Sequence, residues 1–315
     1  MPVLSVHSLL LTTLGTAVAS WAVFPAWRRW CLKHRWVDDP GHRKIHVAPT
    51  PLAGGWSVLT GLLIAVGVAF LVFPHVSSKA PSLPLPTLLI AAVALFALGA
   101  WDDRVEIPPA LKFTGQTLVT AGVVFLTGLR LPLPIESPAL LATLTLLWVL
   151  TVINAFNLSD NMNGLCSGLA AIAAGLVALR SVHHQPDVAL LGGVVAGAFA
   201  GFIPWNYPRA SAFLGDAGSH LAGFLVGILT VATRPEGNPA TPSFHGFLPA
   251  ILIVAVPLID VAQVFVHRTV HGRPFWVGDT NHLSHRLSRT ALGRPGAVAA
   301  LWMAALWIGA LSWKV

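Results

Sequence analysis

Charge is what this 315-residue chain has least of. Asp, Glu, Lys and Arg together make up 10% of it, against roughly 25% in a soluble domain. Hydrophobic residues reach 55% and mean hydropathy is +0.73, so an ordinary soluble domain is excluded. Cysteine is nearly absent, with only Cys31 and Cys166. Both fall on the side assigned below to the reducing cytoplasm, so no disulfide is expected. The chain also has no internal repeat, low-complexity tract or run of like charge. Its net charge of +7 needs no nucleic acid, because a basic rim beside anionic headgroups accounts for it.

Long apolar stretches are abundant. Runs of about 17–25 apolar residues read as membrane-spanning helices. About ten are expected: 5–27, 52–73, 85–101, 113–130, 138–156, 164–182, 188–205, 217–233, 246–266 and 294–312. The first lacks a basic leader and is not expected to be a cleaved signal. The expected fold is therefore an all-α polytopic membrane protein, a single domain over 1–315. Loops after odd-numbered spans hold fourteen of the nineteen Lys and Arg residues, which places those loops in the cytoplasm and both termini outside. Nine of the twelve carboxylates lie on the same side. That is more than a positive-inside bias, and it fits a site handling a cation and an anion together.

The densest polar segment is Asn154-Ala155-Phe156-Asn157-Leu158-Ser159-Asp160-Asn161-Met162-Asn163-Gly164, between two apolar runs. Amides and carboxylates at a membrane boundary are costly unless they bind something, so a functional site is the expected reading. Asp102-Asp103 closes another apolar run; adjacent carboxylates repel unless a cation lies near, and Lys112 follows nine residues on. A solvated pair at a helix end is the bland alternative. Phe213-Leu214-Gly215-Asp216-Ala217-Gly218-Ser219 opens a further span, either as a phosphate-favouring helix N-terminus or as a simple cap. In the 267–289 loop, His282 and His285 share a helical face, and Arg286 has the fork geometry that grips phosphate. His267 and His271 have zinc-helix spacing but no third ligand. Arg43-Lys44-Ile45-His46 precedes the Gly54-Gly55 pair.

Taken in order from Asp39 to Gly293, these motifs resemble the polyprenyl-phosphate N-acetylhexosamine-1-phosphate transferase family, in its WecA-like rather than MraY-like branch. The resemblance implies transfer of N-acetylhexosamine 1-phosphate, most simply GlcNAc 1-phosphate, from a UDP-sugar to undecaprenyl or another polyprenyl phosphate. UMP would leave, and the lipid-linked sugar would initiate cell-envelope polysaccharide synthesis at the inner (plasma) membrane. It implies Mg²⁺, with Mn²⁺ as the alternative, held by Asp216, Asp102 and Asp103 as catalytic and metal residues. Substrate binding would fall to Lys44, His46, Lys112, His282, His285 and Arg286, and the nucleoside to Asn157, Asp160 and Asn163. A homodimer is left open. Two departures stand out: the family's Asp-Gly-x-Asp-Gly reads Asp160-Asn161-Met162-Asn163-Gly164, and its His-Leu-His-His reads His282-Leu283-Ser284-His285. An impaired relative that only binds its ligands is therefore one alternative, and a transporter, with polar groups at the bilayer midplane, is another.

Overall fold

A computed structural model describes residues 4–39, 48–72, 83–234, 243–272 and 282–314. Its helices are α1 (Val6–Lys33), α2 (Gly54–Val72), α3 (Leu85–Val105), α4 (Pro109–Thr127), α5 (Pro138–Ser159), α6 (Leu165–Ser181), α7 (Pro186–Asn206), α8 (Gly215–Ala232), α9 (Phe244–Ile253), α10 (Ala255–Val270), α11 (Leu283–Ser288) and α12 (Gly293–Ala310). The only sheet among the described residues is a two-strand ladder, β1 (Val37–Asp38) with β2 (Thr50–Pro51), antiparallel with Val37 opposite Pro51. Helix starts follow local chemistry. Proline occupies the first turn of α3, α4, α5 and α7, where its missing N–H costs nothing. Ser5 and Ser137 accept a first-turn amide at α1 and α5, and Gly128 at φ 70° ends α4.

Among the described residues, seven helices are long and apolar enough to cross a membrane, or eight if the bent pair α9–α10 is one span; α2 and α6 are shorter apolar helices. Every stretch expected to span is thus helical, but 246–266 is not one helix. It breaks at Val254 with an 82° bend. Pro257 explains the break: it has no N–H to donate, and its ring would collide with the carbonyl four residues back, at Ile253.

The bundle is organised around α8. Every residue of α8 except Asp216 is buried, against α2, α3, α5 and α6. Its diluted hydropathy, with Gly, Ser and His among the apolar residues, belongs to a helix that faces protein rather than lipid. Close approach is built in at Gly99 of α3, where an added Cβ would lie 2.6 Å from the Ala217 amide nitrogen. Outer helices such as α1 present exposed Leu11, Leu14 and Val18, as a lipid-facing surface does. Near one end, Trp27 stacks on Trp56 at 4.7 Å, and Phe24 on Trp205 at 4.6 Å, locking α1 to α2 and α7.

Direction matters for the site. Leu4 and Leu9 pack with Val182, and Arg180 donates to the Ser312 carbonyl, so both chain ends lie by the α6–α7 turn. At that end Arg234 donates to the Val231 and Arg130 carbonyls, closing helix ends. Asp38 with Thr50, the end of α3, the 160–163 turn, the 206–216 loop and the α11–α12 segment meet at the opposite end.

Gly99→Ala should overpack the α3–α8 crossing at a cost on the order of 1–3 kcal/mol. Gly122→Ala, where an added Cβ meets nothing within 4 Å, should be neutral or slightly stabilising. Thermal melts of the two variants in detergent compare them directly; equal melting temperatures would contradict this packing.

Candidate active site

The five convergent segments enclose a cavity of about 850 Å³. Among the described residues its wall carries six carboxylates, Asp38, Asp102, Asp103, Glu106, Asp160 and Asp216, and two arginines, Arg209 and Arg294.

The N-terminus of α8 is its anchor. Asp103 accepts from the Asp216 amide at 2.7 Å and the Ala217 amide at 3.1 Å, satisfying two N–H groups that a helix start leaves unpaired. Gly215 makes this approach available: its φ is +75°, and a Cβ there would lie 2.6 Å from Asp103 Oδ2. Neighbouring hydrogen bonds seat the helix start. Gly54 and Gly55 at the head of α2 donate to the Phe213 and Leu214 carbonyls at 3.0 Å each, and Phe213 donates to Pro51 at 2.9 Å.

Asp216, so placed, turns its carboxylate to Lys112 on the first turn of α4. Lys112 Nζ also meets Asp102 Oδ2 at 2.8 Å and Asn157 Oδ1 at 3.2 Å. Asn157 Nδ2 donates to Asp216 Oδ1 at 2.7 Å and Ser219 Oγ at 2.9 Å. One ammonium on α4 thus serves two carboxylates and an amide contributed by three other helices. Asn157, expected at the nucleoside, spends its amide on the Asp216 cluster and stands behind the cavity wall. Asp103, expected at the metal, lines the cavity while each of its oxygens accepts a backbone amide.

A second polar layer lies one turn deeper. Asn154 Nδ2 donates to Gln116 Oε1 at 2.9 Å, and Gln116 Nε2 meets His220 Nε2 at 3.1 Å, with Gln116 and His220 fully buried. Gln116 and His220 were missed in the sequence. The signal was present: they stand four residues after Lys112 and Asp216, on the same helix faces.

Asp160 and Asn163 do line the cavity. Burial, then the nearby Asp216 and Asp103 charges, hold the Asp160 carboxyl well above the usual carboxylate range. Asn163 Nδ2 donates to the Pro208 carbonyl at 3.3 Å. Asn206, also unanticipated, ties this turn to the next loop: its Oδ1 accepts from Gly164 N, and its Nδ2 donates to the Ala212 carbonyl at 2.8 Å.

The histidine motif divides. His282 is buried, with Nδ1 at 2.7 Å from Asp260 Oδ2, while the Leu283 amide donates to Asp260 Oδ1 at 2.7 Å. That makes His282 an anchor for α11, not a cavity group. His285 lines the cavity; burial, then His282 and the arginines Arg289 and Arg294, lower its pKa, so its imidazole is neutral at neutral pH. Arg286 is exposed and outside the lining. His267 and His271 stack at 4.2 Å at the end of α10. Lys44 and His46, with Arg43, Arg273 and Asp279, lie outside the described residues.

The donor set fits a hard divalent cation. No group of three or more His, Cys, Asp or Glu side chains forms a ready cage among the described residues. Mg²⁺ does not require one, since it usually takes one or two carboxylates with waters and substrate phosphates. Asp102 and Asp216, already gathered around one cation at Lys112, are the pair suited to it. An acidic wall also admits a diphosphate only with added positive charge.

Comparisons with known proteins bear on the family of the whole chain. Residues 85–234 match the family model described as glycosyl transferase family 4. The chain is 31% identical over 302 residues to decaprenyl-phosphate N-acetylglucosaminephosphotransferase of Mycobacterium tuberculosis, covering 87% of this chain and 73% of that one. It is 29% identical over 283 residues to undecaprenyl-phosphate alpha-N-acetylglucosaminyl 1-phosphate transferase of Escherichia coli, covering 85% and 73%. It is 26% identical over 290 residues to a probable undecaprenyl-phosphate N-acetylglucosaminyl 1-phosphate transferase of Bacillus subtilis, covering 89% and 77%. The chain belongs to this family of membrane-embedded phospho-N-acetylhexosamine transferases.

Asp103→Asn should act mainly on stability. An amide accepts through one oxygen and turns an NH₂ toward the other backbone N–H, so a loss of about 1–2 kcal/mol is expected, as for a lost helix cap. A melt in detergent that matches wild type would overturn the anchoring role.

Proposed function

We propose that this protein transfers N-acetylglucosamine 1-phosphate from UDP-GlcNAc to a polyprenyl phosphate, releasing UMP. One observation carries the reading: Asp102, Lys112, Asp216 and Asn157 interlock beside a polar cavity at one end of a multi-pass bundle. The names of the relatives supply the substrates. A transporter would place such groups at the midplane of broken helices; here the carboxylates gather at one end.

In the reaction, an oxygen of the lipid phosphate bonds to the β-phosphorus of the UDP-sugar. The bond from that phosphorus to the bridging oxygen breaks, and its electron pair leaves with UMP. Phosphoryl transfer of this kind depends on positioning and charge neutralisation. Lys112 donates to phosphate oxygens. Asp102 orients the lipid phosphate and takes its proton, a role that Asp103, committed to α8, does not share. Asp216, oriented by Asn157, holds the divalent cation with Asp102. When bound, that cation neutralises diphosphate charge. Asp160 and Asn163 contact the nucleoside, and neutral His285 hydrogen-bonds the sugar or phosphate. Asn163 offers an amide where the family commonly has a carboxylate, which suits a hydrogen-bonding role and not a proton-transfer one. The distribution of Lys and Arg supports an active site on the cytoplasmic face of the inner membrane, where the product would enter cell-envelope polysaccharide synthesis.

Purified protein with UDP-GlcNAc, undecaprenyl phosphate and Mg²⁺ should release UMP, and EDTA should stop it. Asp216→Asn should reduce turnover by at least about 100-fold, as loss of a group stabilising transition-state charge does. Nucleotide binding by wild type without UMP release would instead identify an impaired relative.

Orientation has its own test, in a background lacking Cys31 and Cys166. Glu136→Cys should react with an impermeant thiol reagent in intact cells, and Thr290→Cys only after the membrane is opened. Both positions are exposed; the reverse pattern would put the cavity outside.

A further inference from the structure

The short helix α11 is held at two points, and only one belongs to the Asp260–His282 anchor. The second is Ser284, whose Oγ donates to Asn161 Oδ1 at 2.6 Å. Ser284 is 1% exposed, so its hydroxyl has little access to water and depends on this bond. The Asn161 amide is oriented from its other side. Its Nδ2 donates to the Leu158 carbonyl at 2.7 Å, which leaves Oδ1 as the atom facing Ser284.

We propose that this bond is a latch: Asn161 and Ser284 are positioning residues that couple the 160–163 turn to His285 and set the affinity of the cavity for the sugar nucleotide. Asn161 itself lines the cavity, between Asp160 and Asn163, and His285 lines it from α11. Ser284 is the chain neighbour of His285, so a shift at 284 carries the imidazole with it. The bond therefore joins the two walls that face a bound nucleotide. Without it, α11 keeps the Asp260 contacts to His282 and Leu283, so the helix remains docked while its distance from the turn is released.

The role in nucleotide affinity rests on the transferase reading; the latch itself does not. The test uses the full chain in detergent as wild type, Ser284→Ala, Asn161→Ala and the double variant. Hydrogen–deuterium exchange reports the latch without any activity: Ser284→Ala should speed exchange in 158–164 as well as in 282–290, and Asn161→Ala should do the same reciprocally. Kinetics report its consequence. Each single variant should raise KM for UDP-GlcNAc about two- to tenfold, the range of one lost hydrogen bond, with kcat within about twofold. The double variant should be no worse than the poorer single one, since partners of one bond are non-additive. Unchanged exchange at 158–164 in Ser284→Ala overturns the latch. Reciprocal exchange with multiplying KM effects, or a fall in kcat alone, overturns its role in affinity. If wild type releases no UMP, the transferase reading fails and exchange alone decides whether the latch exists.

Discussion

The grip of Asp103 on the Asp216 and Ala217 amides at the start of α8 is the constraint on which the rest of this structure depends. A helix start buried in protein has N–H groups that neither water nor an i−4 carbonyl can satisfy. It also carries partial positive charge, which a carboxylate at that place stabilises. Asp103 meets both demands, and the geometry around it follows. Gly215 must lack a Cβ and hold a positive φ for the carboxylate to reach the amides. Gly99 must be small for α3 to lie against α8 where Asp103 leaves it. Asp216, the only residue of α8 that is not buried, then projects toward Lys112. Asp102 and Asp103 are adjacent in sequence but face different tasks: one oxygen of Asp102 accepts from the Ile107 amide at 2.8 Å and the other meets Lys112.

Hydropathy alone located helix in each expected stretch, while among the described residues seven helices, or eight with the bent pair as one span, are long and apolar enough to cross a membrane. It could not show that 246–266 bends, although Pro257 was there to be read. A proline within an apolar stretch is tolerated in a membrane helix when neighbours satisfy the freed carbonyls, so its presence does not decide between a kink and a break. Asp216 and Lys112 were legible as site residues because a carboxylate and an ammonium inside apolar runs need a reason. Their precise partners were not. Asn157 belongs with Asp216 because α5 and α8 cross there, a tertiary fact that the spacing of the 154–164 segment does not contain.

The histidine motif shows the same limit. A sequence gives the order of His282, Leu283, Ser284 and His285, while their division of labour comes from Asp260, twenty-two residues earlier on another helix. Once Asp260 takes His282 and the Leu283 amide, the turn of α11 directs His285 toward the cavity. Gln116 and His220 went unnoticed for a different reason. Each stands one turn inside its helix from a charged residue that drew notice first, and only packing brings the two within 3.1 Å.

Counting carboxylates by motif therefore overstates how many do chemistry. Asp103 and Asp260 each spend both oxygens on structure, holding α8 and α11 in place. Asp102 and Asp216 share a single ammonium, and Asp160 is kept in a protonation-prone setting by enclosure and by the Asp216 and Asp103 charges. Asp103 both fixes a helix and lines the cavity, so one carboxylate can hold the frame and shape the wall. Among the described residues an acidic wall of this kind favours a cation over a bare anion, and that preference follows from the charges of the cavity before any particular ligand is considered.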